Sequence, residues 1–173
     1  MDQVRRKKIR LPASNYEVGW YFVTICTDQR KNLLASVTPI VGADDSVRPC
    51  VALEGYISRL TPIGLAVREC LERLTDTAHG IVIDKYIIMP NHVHAIICLS
   101  AGTGGQSRPP LQGVIQRFKS ISTRQGWKHG VKILWQRSFF DHVIRCEEEY
   151  RRIWQYIDDN PAKWAEDEYY SAE

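Results

Sequence analysis

Tyr86-Ile-Ile-Met-Pro-Asn-His-Val-His-Ala-Ile-Ile-Cys-Leu99 is the stretch on which the reading of the chain turns. Apolar runs on either side of Pro90-Asn91 predict two strands joined by a short connection, and therefore an antiparallel pair. Side chains alternate faces along a strand, so His92 and His94 share one face while Val93 points to the other. Two imidazoles side by side on a rigid strand can hold one divalent metal ion. The plainer alternative is a polar turn beside a core strand with incidental histidines, and the rest of the chain has to decide.

Outward from the hairpin, Ile81-Val-Ile-Asp-Lys-Tyr-Ile-Ile-Met89 supplies its first strand. Upstream, Thr61-Pro62 reads as a helix start, with Thr61 as N-cap and proline tolerated at the first helical position. Ile63, Ala66, Val67, Cys70, Leu71 and Leu74 recur at helical spacing and predict an apolar face running to about Thr77. Trp20-Tyr-Phe-Val-Thr-Ile-Cys-Thr27 is aromatic and β-branched, the composition of a central strand. Residues 35–50 read as a loop and Val51-Ala-Leu53 as a short edge strand. Downstream, residues 100–109 read as a glycine-containing connection; no Gly-Lys-Ser/Thr follows, so it is no P-loop.

Leu111 to Arg124 is a second helix, with Val114, Ile115, Phe118 and Ile121 as its buried stripe. Ile133 to Ile144 predicts a last strand region with an irregular middle. Glu147 to Asn160 is a third helix, with acids in its first turn suiting the helix dipole and Pro161 ending it. The order strand, helix, strand-strand, helix, strand, helix predicts one domain over 1–173. Its class is α+β, a ferredoxin-like or RRM-like sandwich: an antiparallel sheet with helices on one face, plus a C-terminal helix.

Hydrophobic residues make up 44% of the 173 and charged residues 25%, ordinary values for a globular protein. No apolar run approaches the roughly 20 residues of a membrane span. The start lacks the apolar core of a signal peptide. Five cysteines without a Cys-x-x-Cys pair argue against both a disulfide framework and a cysteine zinc site, so a reducing cytoplasm is the expected location. The net charge of +3 hides an asymmetry: residues 147–173 hold nine acids and three bases, a balance of −6 that leaves +9 on the remainder. Residues 1–12 form a basic arm, with Arg5, Arg6, Lys7, Lys8 and Arg10, and 165–173 an acidic tail. This distribution points to a polyanionic partner, nucleic acid first, although basic and acidic faces also simply solvate proteins. Arg117, Lys119 and Arg124 lie off the buried stripe of the second helix, where they suit a nucleic-acid backbone.

Two histidines do not complete a metal site. Asn160, at the end of the third helix, is a candidate third ligand. Tyr156 lies four residues before it on the same helical face. A tyrosine beside a metal-bound phosphate can attack phosphorus as a covalent nucleophile; otherwise it is a helix-face tyrosine packed on the sheet.

His92-Val-His94 matches the His-hydrophobic-His signature of the HUH endonucleases. The longer Met89-Pro-Asn-His-Val-His94 resembles the single-tyrosine transposases of the insertion-sequence 200/605 superfamily. Tyr21-Phe-Val-Thr-Ile-Cys-Thr27, Trp135-Gln-Arg-Ser-Phe-Phe-Asp-His142 and Tyr156-Ile-Asp-Asp-Asn-Pro-Ala-Lys-Trp164 resemble the REP-associated tyrosine transposases, or RAYTs. The resemblance implies a DNA strand transferase that cuts single-stranded DNA at imperfect hairpins, using Mg²⁺ or Mn²⁺, through a 5′-phosphotyrosine. On that pattern Tyr156 is the nucleophile and His92, His94 and Asn160 hold the metal. Arg5, Arg6, Lys7, Arg117, Lys119 and Arg124 then serve DNA binding, and the chain acts as a monomer or homodimer. Two alternatives stay open: a catalytically silent nucleic-acid-binding module of the same fold, and a metal-dependent hydrolase using water.

Overall fold

The computed structural model describes residues 18–39, 52–53, 56–76, 79–101 and 110–170. Its main sheet has four strands: β1 (Gly19–Cys26), β5 (Ile81–Ile88), β6 (His92–Leu99) and β7 (Phe140–Ile144). Their order is β5-β6-β1-β7, and every pairing is antiparallel. The histidine strand is therefore interior, with partners on both sides. Helices α1 (Pro62–Glu72) and α2 (Leu111–Trp127) cover one face of the sheet, and α3 (Glu147–Asp159) packs on the other. This is the expected α+β sandwich, with the C-terminal helix set apart across the sheet.

The alternation of β6 divides the core. Val93, Ala95, Ile97 and Leu99 join Tyr21, Val23, Ile25, Val67, Leu71, Val114, Ile115 and Phe118 in the larger cluster. Ile96 faces the other way, joining Ile87, Met89, Ile144 and Ile157 beneath α3. Thr61 caps α1 as expected, its Oγ1 accepting from Gly64 N at 3.0 Å. The same hydroxyl donates to Leu33 O, and Thr61 N donates to Leu34 O. That clasp is tight enough that a Cβ on Gly64 would meet Leu34 O at 1.9 Å, so only glycine fits.

Two expectations change. Residues 35–39 are not loop: β2 (Ala35–Pro39) pairs with β4 (Tyr56–Leu60), which also pairs with β3 (Ala52–Leu53), giving a second, three-stranded sheet. Helix α1 ends at Glu72, five residues before the expected Thr77. The basic arm 1–12, the glycines at 102–105, Cys50 and residues 171–173 lie outside the described residues. No helix among the described residues is long and apolar enough to cross a membrane.

Candidate metal and nucleophile site

The site forms where the β5–β6 turn meets the ends of β1 and α3. Thr27 N and Leu34 N donate to Asn91 O and Pro90 O at 2.8 and 2.9 Å, fixing the turn to the strand beside it. His92 and His94 are 0% and 1% exposed, with ring centroids 4.4 Å apart. They share one face, as the alternation predicts.

Their proton positions follow from their partners. Asn91 Nδ2 donates to Arg30 O at 3.2 Å and to Tyr169 O at 2.7 Å. Those two carbonyls fix the orientation of the amide, so Oδ1 is the atom 2.9 Å from His92 Nδ1. A carboxamide oxygen only accepts, so Nδ1 carries the proton and the His92 Nε2 lone pair is free to bind an ion. The His94 ring is also held, its Nδ1 2.8 Å from Thr24 Oγ1, a hydroxyl able to donate or accept. Burial presses the His92 pKa down to about 3, against a smaller upward pull from the Asn160 amide, and presses His94 well below the ordinary imidazole value. Both rings are neutral at neutral pH, the form a metal needs.

Helix α3 brings Tyr156 and Asn160 to this pair. Ile157, 0% exposed, seats the helix on the sheet. Tyr150 Oη donates to Asp84 at 2.7 Å, Lys85 pairs with Asp158, and the Lys85 ammonium lies 4.5 Å from the Trp154 ring centroid. His142 Nε2 lies 2.6 Å from Glu149. So held, Tyr156 Oη lies 3.3 Å from His94 Nε2. Burial raises the Tyr156 pKa above the usual phenol value, with the Asn160 amide pulling the other way. The phenol therefore keeps its proton and can donate it in a hydrogen bond to His94 Nε2.

Among the described residues, the buried side-chain polar atoms left without a hydrogen-bond partner are His92 Nε2 and Asn160 Oδ1. Such atoms cost about 1–3 kcal/mol each when nothing binds them. Asp167 adds a further oxygen: one nitrogen of each histidine and a carboxylate oxygen of Asp167 lie within 4.8 Å of one another. Two imidazole nitrogens with amide and carboxylate oxygens fit a divalent cation. Cys26, the register partner of His92, stays a thiol because burial raises its pKa to about 11.

Of the residues singled out in the sequence, His92, His94, Tyr156 and Asn160 come together. The helix residues Arg117, Lys119 and Arg124 do not: α2 covers the opposite face of the sheet. Lys119 there spends its ammonium on Gln136 O and Ser138 O, each at 2.8 Å. Arg5, Arg6 and Lys7 fall outside the described residues. Sequence reasoning missed Thr24, Asp167 and Tyr169. The segment after α3 doubles back over the site, where the Tyr169 ring lies 4.8 Å from His92 and 5.0 Å from the Arg30 guanidinium carbon, rather than forming a detached tail. Only Thr24 had a sequence signal, its place on the same strand face as Phe22 and Cys26.

No family model matches the chain. An uncharacterised protein of Haemophilus influenzae is 29% identical over 183 aligned positions, which cover 95% of this chain and 93% of that one. A REP-associated tyrosine transposase of Escherichia coli K12 is 31% identical over 81 positions, covering 47% of this chain and 44% of the transposase. In three dimensions, a REP-associated tyrosine transposase solved with a REP hairpin overlays 94% of this chain and 74% of its own, with a TM-score of 0.57 and 22% identity. The overlay shows the shared fold. The chain thus shares its fold with a REP-associated tyrosine transposase and is similar in sequence to another over about half its length.

Proposed function

We propose that this protein is a DNA strand transferase that cuts and rejoins single-stranded DNA beside hairpins, with Tyr156 as nucleophile. The observation that carries the reading is the Tyr156 hydroxyl, 3.3 Å from His94 Nε2, next to two buried polar atoms that have no hydrogen-bond partner among the described residues. The solved relative bound to a REP hairpin and the transposase of Escherichia coli support the class of substrate.

In this reading His92 and His94 hold a divalent cation, Mn²⁺ or Mg²⁺, with Asn160 and Asp167 as oxygen donors. Bound there, the cation polarises the phosphoryl oxygen and offsets the charge that develops on it. The protein's own residues do the rest. Asn91 keeps the His92 ligand nitrogen unprotonated, and Thr24 and the Tyr156 phenol hold the His94 ring between them. Tyr156, fixed on a docked helix, attacks the scissile phosphorus. The bond from Tyr156 Oη to phosphorus forms as the bond from phosphorus to the 3′ oxygen breaks. The phenolic proton is lost and the departing 3′ oxygen gains one. One phosphodiester replaces another, so the reverse attack by a 3′ hydroxyl rejoins DNA without an external energy source.

The test is a denaturing gel of the full chain mixed with a labelled hairpin carrying single-stranded flanks and Mn²⁺. A protein–DNA adduct should form and should vanish in Tyr156→Phe, while hairpin binding persists. Cut DNA with no adduct would instead indicate a hydrolase using water. An adduct in the Phe variant would remove Tyr156 from its assigned role.

A further inference from the structure

The face of the sheet that carries the histidines continues past them to an edge. His94, Thr24 and Phe140 are register partners in a row across β6, β1 and β7. Two strand spacings, about 10 Å, separate the ends of that row. Phe140 is 53% exposed on the last strand of the sheet, and Tyr156 is 41% exposed. Both rings stand edge-on to Phe22, with centroids 6.4 and 6.0 Å away, and Phe22 is stacked on His94 at 5.2 Å. A single exposed phenylalanine needs no explanation. This one belongs to an aromatic surface continuous with the nucleophile and the histidines. One helical turn before Tyr156, on the same face of α3, stands Arg152. It is exposed, and its guanidinium makes no hydrogen bond or ion pair with any described residue, its charge acting only through space on Glu149 one turn earlier. An open aromatic ring on β7 and an exposed cation on α3 thus both neighbour Tyr156, one through Phe22 and the other by one helical turn, and the cation matches a polyanion.

We propose that Phe140 and Arg152 form a nucleotide subsite beside Tyr156. An unpaired base next to the scissile phosphate stacks on the Phe140 ring, and Arg152 takes the phosphate of that nucleotide. The subsite rests on the reading of Tyr156 as a nucleophile for single-stranded DNA. It reads no hydrogen-bonding edge, so it positions strands of any sequence, as stacking platforms do. It also gives the row from His94 to Phe140 a direction: the strand crosses from the histidine pair to the open edge of β7.

The experiment uses the full chain in EDTA, so that no cutting occurs, with a short oligo-dT strand carrying one 2-aminopurine. The wild-type protein should bind and quench the probe. Phe140→Ala should weaken binding about 5- to 150-fold, the range of one lost stacking contact. Phe140→Leu, which keeps apolar area without a π-face, should lose as much, and Phe140→Trp should bind like wild type and quench. Arg152→Gln should lower the slope of log affinity against log salt by about 0.7. Wild-type affinity and quenching in Phe140→Ala or Phe140→Leu would overturn the subsite, as would a wild-type protein that quenches no probe. The adduct gel is independent of this readout. An adduct with unchanged binding in Phe140→Ala refutes the subsite alone, and intact quenching with no adduct refutes the nucleophile alone.

Discussion

The two faces of β6 are chemically opposite where the strand leaves the Pro90-Asn91 turn, although Ile96 returns the histidine face to apolar packing further along. Val93, Ala95, Ile97 and Leu99 are 0% exposed on one side, and His92 and His94 are 0% and 1% exposed on the other. The first face asks only for volume and shape, supplied by α1 and α2. The second asks for particular atoms: a carboxamide oxygen at His92 Nδ1, a hydroxyl at His94 Nδ1, a phenol at His94 Nε2. Burial on the dry face stabilises the fold. Burial on the other face costs stability, because it strips water from groups that the protein leaves partly unsatisfied. The division implies that stability and ion binding can be damaged separately.

The largest effect should come from the dry face. Ile97→Ala should lower unfolding free energy in urea by about 2–5 kcal/mol while the folded fraction keeps its Mn²⁺ affinity. A parallel collapse of Mn²⁺ binding in calorimetry would break the division. On the polar face, Asn91→Ala removes the amide that sets the His92 proton, and Mn²⁺ affinity should fall about 10- to 100-fold. An unchanged affinity would mean that the tautomer is set elsewhere. The smallest effect concerns acid. His92 and His94 are neutral when folded, with His92 pressed to about 3, whereas an unfolded histidine titrates near 6.5. Below 6.5 the unfolded chain takes up protons that the folded chain refuses, so stability falls as pH drops and is restored above 6.5. In chelator, moving from pH 7 to pH 5.5 should lower the urea midpoint, and a flat midpoint would show that both rings are charged or wet in the fold.

The dry face was the more legible in the sequence, because periodicity reports faces. Thr61-Pro62, the Val114–Phe118 stripe and the Pro90-Asn91 turn each act locally, and each is where its residues predict. The second sheet escaped because Ser36-Val-Thr-Pro39 and Ile57-Ser-Arg-Leu60 are short, half polar and defined only by pairing with each other. The site was half legible: His92, His94, Tyr156 and Asn160 carry spacing and motif, and the structure gathers them. Asp167 and Tyr169 carry neither, since they follow the Pro161 break and reach the histidines by a turn in the chain that no period encodes. Lys119 shows what a period leaves out. A cation off a buried stripe reads as free, yet two carbonyls across the fold had claimed it.

The return of the chain over His92 has a consequence for how the protein is made. A ribosome adds Tyr169 75 residues after His94, about 4–15 seconds later at about 5–20 residues per second. Tyr156, Asn160 and Asp167 follow His94 by 62, 66 and 73 residues, so for most of that interval none of the groups that cover the imidazoles has been made. The two histidines are thus synthesised first and enclosed last, by groups that join the site only once α3 and the segment after it have been made.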